Sequence, residues 1–66
     1  MMKPPCKLIG QNGNVFNLIA IVRKTMKAHG LKQELEQFHL DLKEIQETGG
    51  SYDDVLNLFS RYVKPE

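Results

Sequence analysis

The sequence is poor in the residues that build disulfides and metal centres. It contains one cysteine, Cys6, and two histidines among its 66 residues. A single cysteine cannot form a disulfide within the chain, and the absence of CxxC pairs and Cys/His clusters excludes the common zinc-binding patterns. No neighbouring residue activates Cys6, which we expect in a mobile lead-in. These absences fit a reducing compartment, so a cytoplasmic location is expected.

Long apolar runs are also missing. The most apolar stretch, residues 15–22, is interrupted by Asn17 and is far shorter than the roughly 20 residues needed to cross a bilayer. The opening Met-Met-Lys-Pro-Pro-Cys lacks the apolar segment of a signal peptide and the small apolar residues of a lipoprotein signal. We therefore expect neither export nor membrane insertion.

The first thirty residues contain no acidic side chain. They carry five basic residues, for a net charge of +5, whereas residues 31–66 carry four basic and eight acidic residues, for a net charge of −4. This split is consistent with a basic binding face. Attraction between helices, within one molecule or head to tail, explains it better, because no segment has the dense Lys/Arg run of a nucleic-acid-binding arm.

The chain length leaves room for only a small core. A domain of 66 residues buries only roughly 60% of the surface of its unfolded chain. The apolar fraction of 41% and the charged fraction of 26% are those of an ordinary globular protein. Because stability is marginal at this size, a partner surface is a natural supplement to the core.

Residues 1–13 are predicted to form an extended lead-in and a turn. Two prolines oppose a helix, residues 7–9 suit a short strand, and Asn12-Gly13 is a strong turn dipeptide. A hairpin with residues 15–22 as its second strand is the competing interpretation. Helical phase favours a helix instead, because the apolar pattern persists for about four turns, which is too long for a typical strand.

The first helix is predicted over about residues 14–29. Asn14 is a suitable N-cap, and Gly30 is a suitable left-handed stop. Phe16 and Ile21 widen the apolar arc beyond half of the circumference, which predicts a central helix. The inward face comprises Val15, Leu18, Ile19, Val22 and Met26.

The second helix is predicted over about residues 31–48 and has a narrow apolar seam. The seam comprises Leu31, Leu35, Phe38, Leu42 and Ile45. Leu40 lies about 180° away from it. On the outer face, the pairs Lys32–Glu36 and Lys43–Glu47 have the spacing of i,i+4 ion pairs.

The third helix is predicted over about residues 52–63. Gly49-Gly50 ends the second helix, and Ser51 can cap the third in a near capping box with Asp54. Its apolar stripe comprises Tyr52, Val55, Leu56, Phe59 and Val63. The whole chain, residues 1–66, is thus predicted to be one compact all-α domain of three helices. The extended segment at residues 7–9 should pack on it and pair weakly with residues 62–64.

Two motifs carry a family resemblance. The segment Lys-Leu-Ile-Gly-Gln-Asn-Gly-Asn-Val-Phe at residues 7–16 and Ser-Tyr-Asp-Asp-Val-Leu at residues 51–56 resemble a family of small uncharacterised proteins found in bacterial, phage and mobile-element genomes. The resemblance covers most of the chain. It implies a compact, mostly helical protein and brings no activity with it.

Local motifs with possible chemistry have simpler interpretations. The loop Gly10–Gly13 precedes a helix, as anion-binding loops do, but it lacks the lysine and Ser/Thr of a P-loop, so a turn with an N-cap explains it better. Glu36 and His39 have the spacing found in di-iron helices, but those sites need two such motifs facing inward. Asp53 and Asp54 point about 100° apart, which does not favour an acid/base pair, and negative charges are favourable in the first turn of a helix. We therefore expect no enzyme activity, cofactor or metal.

The remaining features favour an interaction or regulatory protein. A small core and an off-seam leucine predict a protein-binding or self-association surface, with a homodimer as one form. Its candidate residues are Phe38, Leu40 and Leu42. The alternative is nucleic-acid binding through the basic end of the first helix, for which the candidates are Arg23, Lys24, Lys27 and Lys32.

Overall fold

Three helices and two very short strands make up the described part of the protein. The computed structural model describes residues 3–8 and 10–66. In chain order the elements are β1 (Pro5–Cys6), α1 (Val15–Ala28), α2 (Lys32–Glu47), α3 (Tyr52–Tyr62) and β2 (Lys64–Pro65). The prediction of a small all-α domain with three helices is confirmed, and each helix end lies within one residue of its expected position.

Local hydrogen bonds explain where α1 begins and ends. The side-chain oxygen of Asn14 accepts a hydrogen bond from the backbone N–H of Phe16 at 2.9 Å, which confirms the predicted N-cap. At the other end, Gly30 adopts a φ of +70°. This left-handed conformation lets the N–H of Leu31 donate to the carbonyl of Met26 at 3.0 Å, which closes the helix and reverses the chain toward α2.

A complete capping box starts α3. The Oγ atom of Ser51 accepts a hydrogen bond from the N–H of Asp54 at 3.3 Å, and Oδ2 of Asp54 accepts one from the N–H of Ser51 at 2.9 Å. Aspartate therefore takes the part that glutamate usually plays in this motif. The two reciprocal bonds fix the direction in which α3 leaves the preceding turn.

The two strands join the ends of the chain in parallel. The N–H of Lys64 donates to the carbonyl of Pro4 at 2.9 Å, and the N–H of Glu66 donates to the carbonyl of Cys6 at 2.8 Å. Prolines are tolerated in this ribbon because both strands are edges and a proline carbonyl can still accept a hydrogen bond. The expected pairing between the lead-in and the chain end is confirmed, although the paired residues differ from those predicted.

The first strand lies earlier than predicted. It comprises Pro5–Cys6 instead of residues 7–9, and Ile9 lies outside the described residues. Leu8 extends the ladder by donating its N–H to the carbonyl of Glu66 at 2.7 Å. The prediction placed the strand at residues 7–9 because these residues are mostly apolar. The strand instead includes Cys6, whose side chain is buried in the core.

The core is formed by the inner faces of the helices and the ribbon. Its buried residues are Cys6, Leu18, Ile19, Val22, Met26, Phe38, Leu42, Val55, Leu58, Phe59 and Val63. Phe38 is central, with its ring 6.1 Å from that of Phe59 and 5.6 Å, edge to face, from that of Tyr62. Two inferences from helical spacing were wrong. Leu58, which the predicted stripe omitted, is buried, and Phe16 is exposed because the other two helices cannot cover α1 on every side.

Candidate functional site

The predicted protein-binding residues do not form one surface. Leu40 is 62% exposed on the outer side of α2, as its position off the seam predicted. Phe38 is fully buried against Phe59 and Tyr62, and Leu42 is only 9% exposed. Grouping the three was wrong, because residues two positions apart on a helix are rotated by about 200° and cannot share a face.

An apolar cleft opens where the start of α1, the end of α2 and the start of α3 meet. Its volume is about 310 Å³. Leu42 and Ile45 line it from α2, while Phe16 and Tyr52 line it with 72% and 45% of their own surface exposed. Tyr52 was expected to face inward and instead stands at the rim. Exposed aromatic side chains around a concave apolar surface are typical of protein-binding sites.

A contact between distant segments shapes the apolar cleft. The hydroxyl of Tyr52 donates to the carbonyl of Gly13 at 2.8 Å, so the turn before α1 is tied to the first residue of α3. Gly50 lines the cleft without a side chain, and a Cβ atom there would lie 2.5 Å from Cγ2 of Ile45. No local pattern predicts the first contact, because its partners are 39 residues apart.

A basic hollow lies between α1 and α2. Its volume is about 280 Å³, and its lining consists of Ala20, Arg23, Lys24, Lys27 and Leu35. Among the described residues, no carboxylate pairs with the three cations of this hollow. The structure therefore brings together three of the four residues predicted for nucleic-acid binding. Lys32, the first residue of α2, is exposed but does not line the hollow.

The cleft and the hollow belong to one face of the protein. On α1 this face consists of Phe16, Ala20, Arg23 and Lys27, at spacings of four, three and four residues. Such spacings align side chains along one side of a helix. On α2, Leu42 lines the cleft and Leu35, two turns earlier, lines the hollow. We call the combined surface the α1–α2 groove, which is apolar at one end and basic at the other.

A cluster of hydrogen-bonding side chains joins α2 to α3. The hydroxyl of Tyr62 donates to Oδ2 of Asp41 at 2.6 Å, and Nε2 of Gln37 donates to Oδ1 at 2.9 Å. The exposed guanidinium of Arg61 lies 3.9 Å from the same carboxylate. The hydrogen bond from Tyr62, followed by that from Gln37, lowers the pKa of Asp41. Because both carboxylate oxygens are engaged, the cluster acts as a structural tie between helices.

This cluster also makes stability depend on pH in alkaline solution. Burial, followed by the hydrogen bond to Asp41, raises the pKa of Tyr62 from 10.0 to about 12. The folded state thus holds the phenolic proton more tightly than the unfolded state, and the associated stability is present below about pH 10 and lost as the pH rises toward about 12. The free energy of unfolding, measured in urea, should fall more steeply across this window in the native protein than in Tyr62→Phe. Equal slopes would contradict the assignment.

Cys6 and the turn before α1 are both engaged by other groups of the chain. Cys6 was expected in a mobile lead-in, but it is buried in the core, where the hydroxyl of Thr25 donates to its Sγ atom at 3.4 Å. In the turn, the side chain of Asn12 accepts from the N–H of Asn14 at 3.0 Å, and the side chain of Asn14 accepts from the N–H of Phe16 at 2.9 Å. The side-chain oxygens of Asn12 and Asn14 thus already accept from two of the backbone N–H groups that an anion would need.

The remaining motifs do not gather into a metal site. Glu36 and His39 are both exposed on α2. Across residues 3–8 and 10–66, no group of three or more His, Cys, Asp or Glu side chains is placed to hold a metal ion. Within the same ranges, none of the helices combines the length and the apolar character that a membrane crossing requires.

The family resemblance carried by the motifs around Gly13 and Tyr52 stays a prediction. The geometry adds that these motifs meet at the rim of the apolar cleft, through the hydrogen bond between their two residues. No protein-family model, curated protein or solved structure matches the chain.

Proposed function

We propose that the protein is a small, non-enzymatic interaction module that binds a protein segment in the α1–α2 groove. The exposure of Phe16 carries this proposal. A chain of 66 residues has little apolar surface to spare, yet this side chain is 72% exposed beside an apolar cleft of about 310 Å³. Covering it with a partner removes a large aromatic surface from water, which is the main source of binding energy in protein interfaces.

The two ends of the groove indicate the chemistry of the ligand. The apolar end suits an aliphatic or aromatic anchor, whereas Arg23, Lys24 and Lys27 at the other end favour carboxylates. Phe16 and Arg23 are seven residues apart on one helix face, which corresponds to about 10 Å. The ligand is therefore a segment with an apolar anchor and acidic side chains about two helical turns away.

Selection from a random-peptide library displayed on phage tests this proposal without a known partner. Peptides enriched on the immobilised native protein should combine an apolar anchor with acidic residues. Their binding should be lost in Phe16→Ser, because the substitution removes the aromatic side of the cleft. Binding should also weaken as the salt concentration rises, since the cations of the groove are exposed.

Leu40→Ser is the matched control, because it removes another large exposed apolar side chain from a position outside the groove. It should retain peptide binding. Both substitutions are at exposed positions, so the free energy of unfolding should change by no more than about 0.5 kcal/mol. The proposal is wrong if no peptides are enriched, or if the enriched peptides bind Phe16→Ser as well as they bind the native protein.

Nucleic-acid binding is the second candidate function, and the basic hollow favours it. Arg23, Lys24 and Lys27 stand together and have no acidic partner within residues 3–8 and 10–66, as is typical of phosphate-binding side chains. The near-neutral total charge and the acidic second half of the chain count against it.

The decisive comparison measures binding of duplex and single-stranded DNA and RNA at two salt concentrations. Salt-sensitive binding that is lost in Arg23→Glu/Lys24→Glu would favour the nucleic-acid function. A phosphate-binding surface should bind most strongly at low salt, so the absence of binding there would reject it.

A further inference from the structure

Another large apolar side chain at the surface, that of Leu40, has more carboxylates than cations around it, with Lys43 as a basic neighbour one turn later. Leu40 is 62% exposed, and Glu36 and Glu44 lie one turn away from it on either side. Glu47 lies two turns beyond it on the same side of α2. Among the described residues, Glu36 and Glu44 form no ion pair, and the predicted Lys32–Glu36 pair is not formed. We call Glu36, Leu40, Glu44 and Glu47 the acidic ridge.

We propose that the α1–α2 groove of one molecule binds the acidic ridge of a second copy. This inference rests on the proposed function and names the ligand. The groove takes its cations from residues 1–30, whose net charge is +5, and the ridge takes its carboxylates from residues 31–66, whose net charge is −4. Contact between two grooves or between two ridges would be repulsive, whereas contact between groove and ridge is attractive.

The spacing of the two surfaces matches. Leu40 and Glu47 are seven residues apart, as are Phe16 and Arg23, so each pair spans about 10 Å along its helix. With Leu40 in the apolar cleft beside Phe16, and with α2 of the second copy running parallel to α1 of the first, Glu47 comes level with Arg23. Glu47 lies 3.9 Å from Lys43 of its own molecule, but both side chains are exposed, and such a pair is weak enough to be exchanged.

Ridge and groove lie on different sides of α2. Leu40 on the ridge and Leu42 at the cleft are rotated by about 200° from each other. Each molecule can therefore offer its ridge to one neighbour while its groove holds the ridge of another. Such a head-to-tail contact builds rings or open chains instead of a symmetric dimer.

Two substitutions, each of which inactivates one surface, test the proposal. Leu40→Glu places a charge at the anchor of the ridge, and Phe16→Asp places one in the groove. Both positions are exposed, and aspartate is favourable in the first turn of a helix, so both variants should fold. In sedimentation equilibrium, the mass of the native protein should rise with concentration. Each variant alone should associate with a dissociation constant about tenfold higher or more.

An equimolar mixture of the two variants is the critical sample. The intact groove of Leu40→Glu should bind the intact ridge of Phe16→Asp, which gives heterodimers and nothing larger. The proposal is overturned if the native protein stays monomeric at millimolar concentration, if either variant associates as strongly as the native protein, or if the mixture stays monomeric while the native protein associates. Groove-bound peptides from the display selection, found with a monomeric native protein, would reject only the second copy as ligand and leave the proposed function standing.

A second pair of variants leaves the apolar side chains intact. Arg23→Glu/Lys27→Glu reverses the charge of the groove, and Glu44→Lys/Glu47→Lys reverses that of the ridge. Each variant alone should lose association, because its groove and ridge then repel each other. In the mixture both kinds of contact are attractive, so species larger than dimers should form and dissociate at high salt. A mixture that does not associate would overturn the proposal.

Discussion

Replacing Phe38 with alanine is expected to leave a large fraction of the molecules unfolded. The side chain is fully buried, and its ring packs against those of Phe59 and Tyr62 at 6.1 and 5.6 Å. Truncating a buried phenylalanine costs about 3–5 kcal/mol. A domain of this length has a total free energy of unfolding of only roughly 3–10 kcal/mol. Urea unfolding followed by far-ultraviolet circular dichroism measures the difference.

Leu40→Ala is the matched control for this substitution. It lies two residues further along the same helix and truncates a side chain that is 62% exposed. We expect its free energy of unfolding to stay within about 0.5 kcal/mol of the native value. If the two variants were equally stable, the arrangement of the core around Phe38 would be incorrect.

The substitution Gly50→Ala is expected to destabilise the protein by about 1–3 kcal/mol through overpacking. The new Cβ atom would lie 2.5 Å from Cγ2 of Ile45, 3.2 Å from its carbonyl oxygen and 3.1 Å from Oδ2 of Asp54. Backbone strain is not the cause, because the glycine with positive φ in this turn is Gly49. The methyl group also enters the wall of the apolar cleft, so peptide binding should weaken together with the thermal midpoint.

Gly13→Ala separates this steric effect from the general effect of removing a glycine. A Cβ atom at Gly13 would lie 3.9 Å from the hydroxyl oxygen of Tyr52, which is an ordinary van der Waals contact. The substitution should change stability by no more than about 0.5–1 kcal/mol, and a gain is possible because alanine restricts the unfolded chain. A loss as large as that in Gly50→Ala would show that the crowding at Ile45 is not decisive.

The helix ends were predictable because their chemistry is local. Asn14, Ser51 and Gly30 each act on backbone groups within a few residues, so both partners of each capping hydrogen bond lie close together in the sequence. The spacing of apolar residues then indicates which side of each helix faces the common core. The number and length of the helices follow from these two local rules, whereas their inward sides follow only in part, since Leu58 was missed and Phe16 and Tyr52 are exposed.

The site could not be predicted in the same way, because it depends on where neighbouring helices end. A helical wheel shows that Phe16 belongs to an apolar arc. It does not show whether another element covers that side of α1. The apolar cleft combines segments that are far apart in the chain, and its shape depends on the contact of Tyr52 with Gly13 and on the missing side chain of Gly50. The basic cluster was visible in the sequence, whereas its union with the cleft in one groove was not.

The parallel pairing of the chain ends has a mechanical consequence. Tension applied between Lys3 and Glu66 pulls the two strands past each other along their length, because parallel strands present their free ends at opposite ends of the ladder. The bonds from Lys64 to Pro4, from Glu66 to Cys6 and from Leu8 to Glu66 then share the load at the same time. A ribbon of only two residues per strand thus resists stretching in shear, and the three helices behind it are shielded until these bonds fail together.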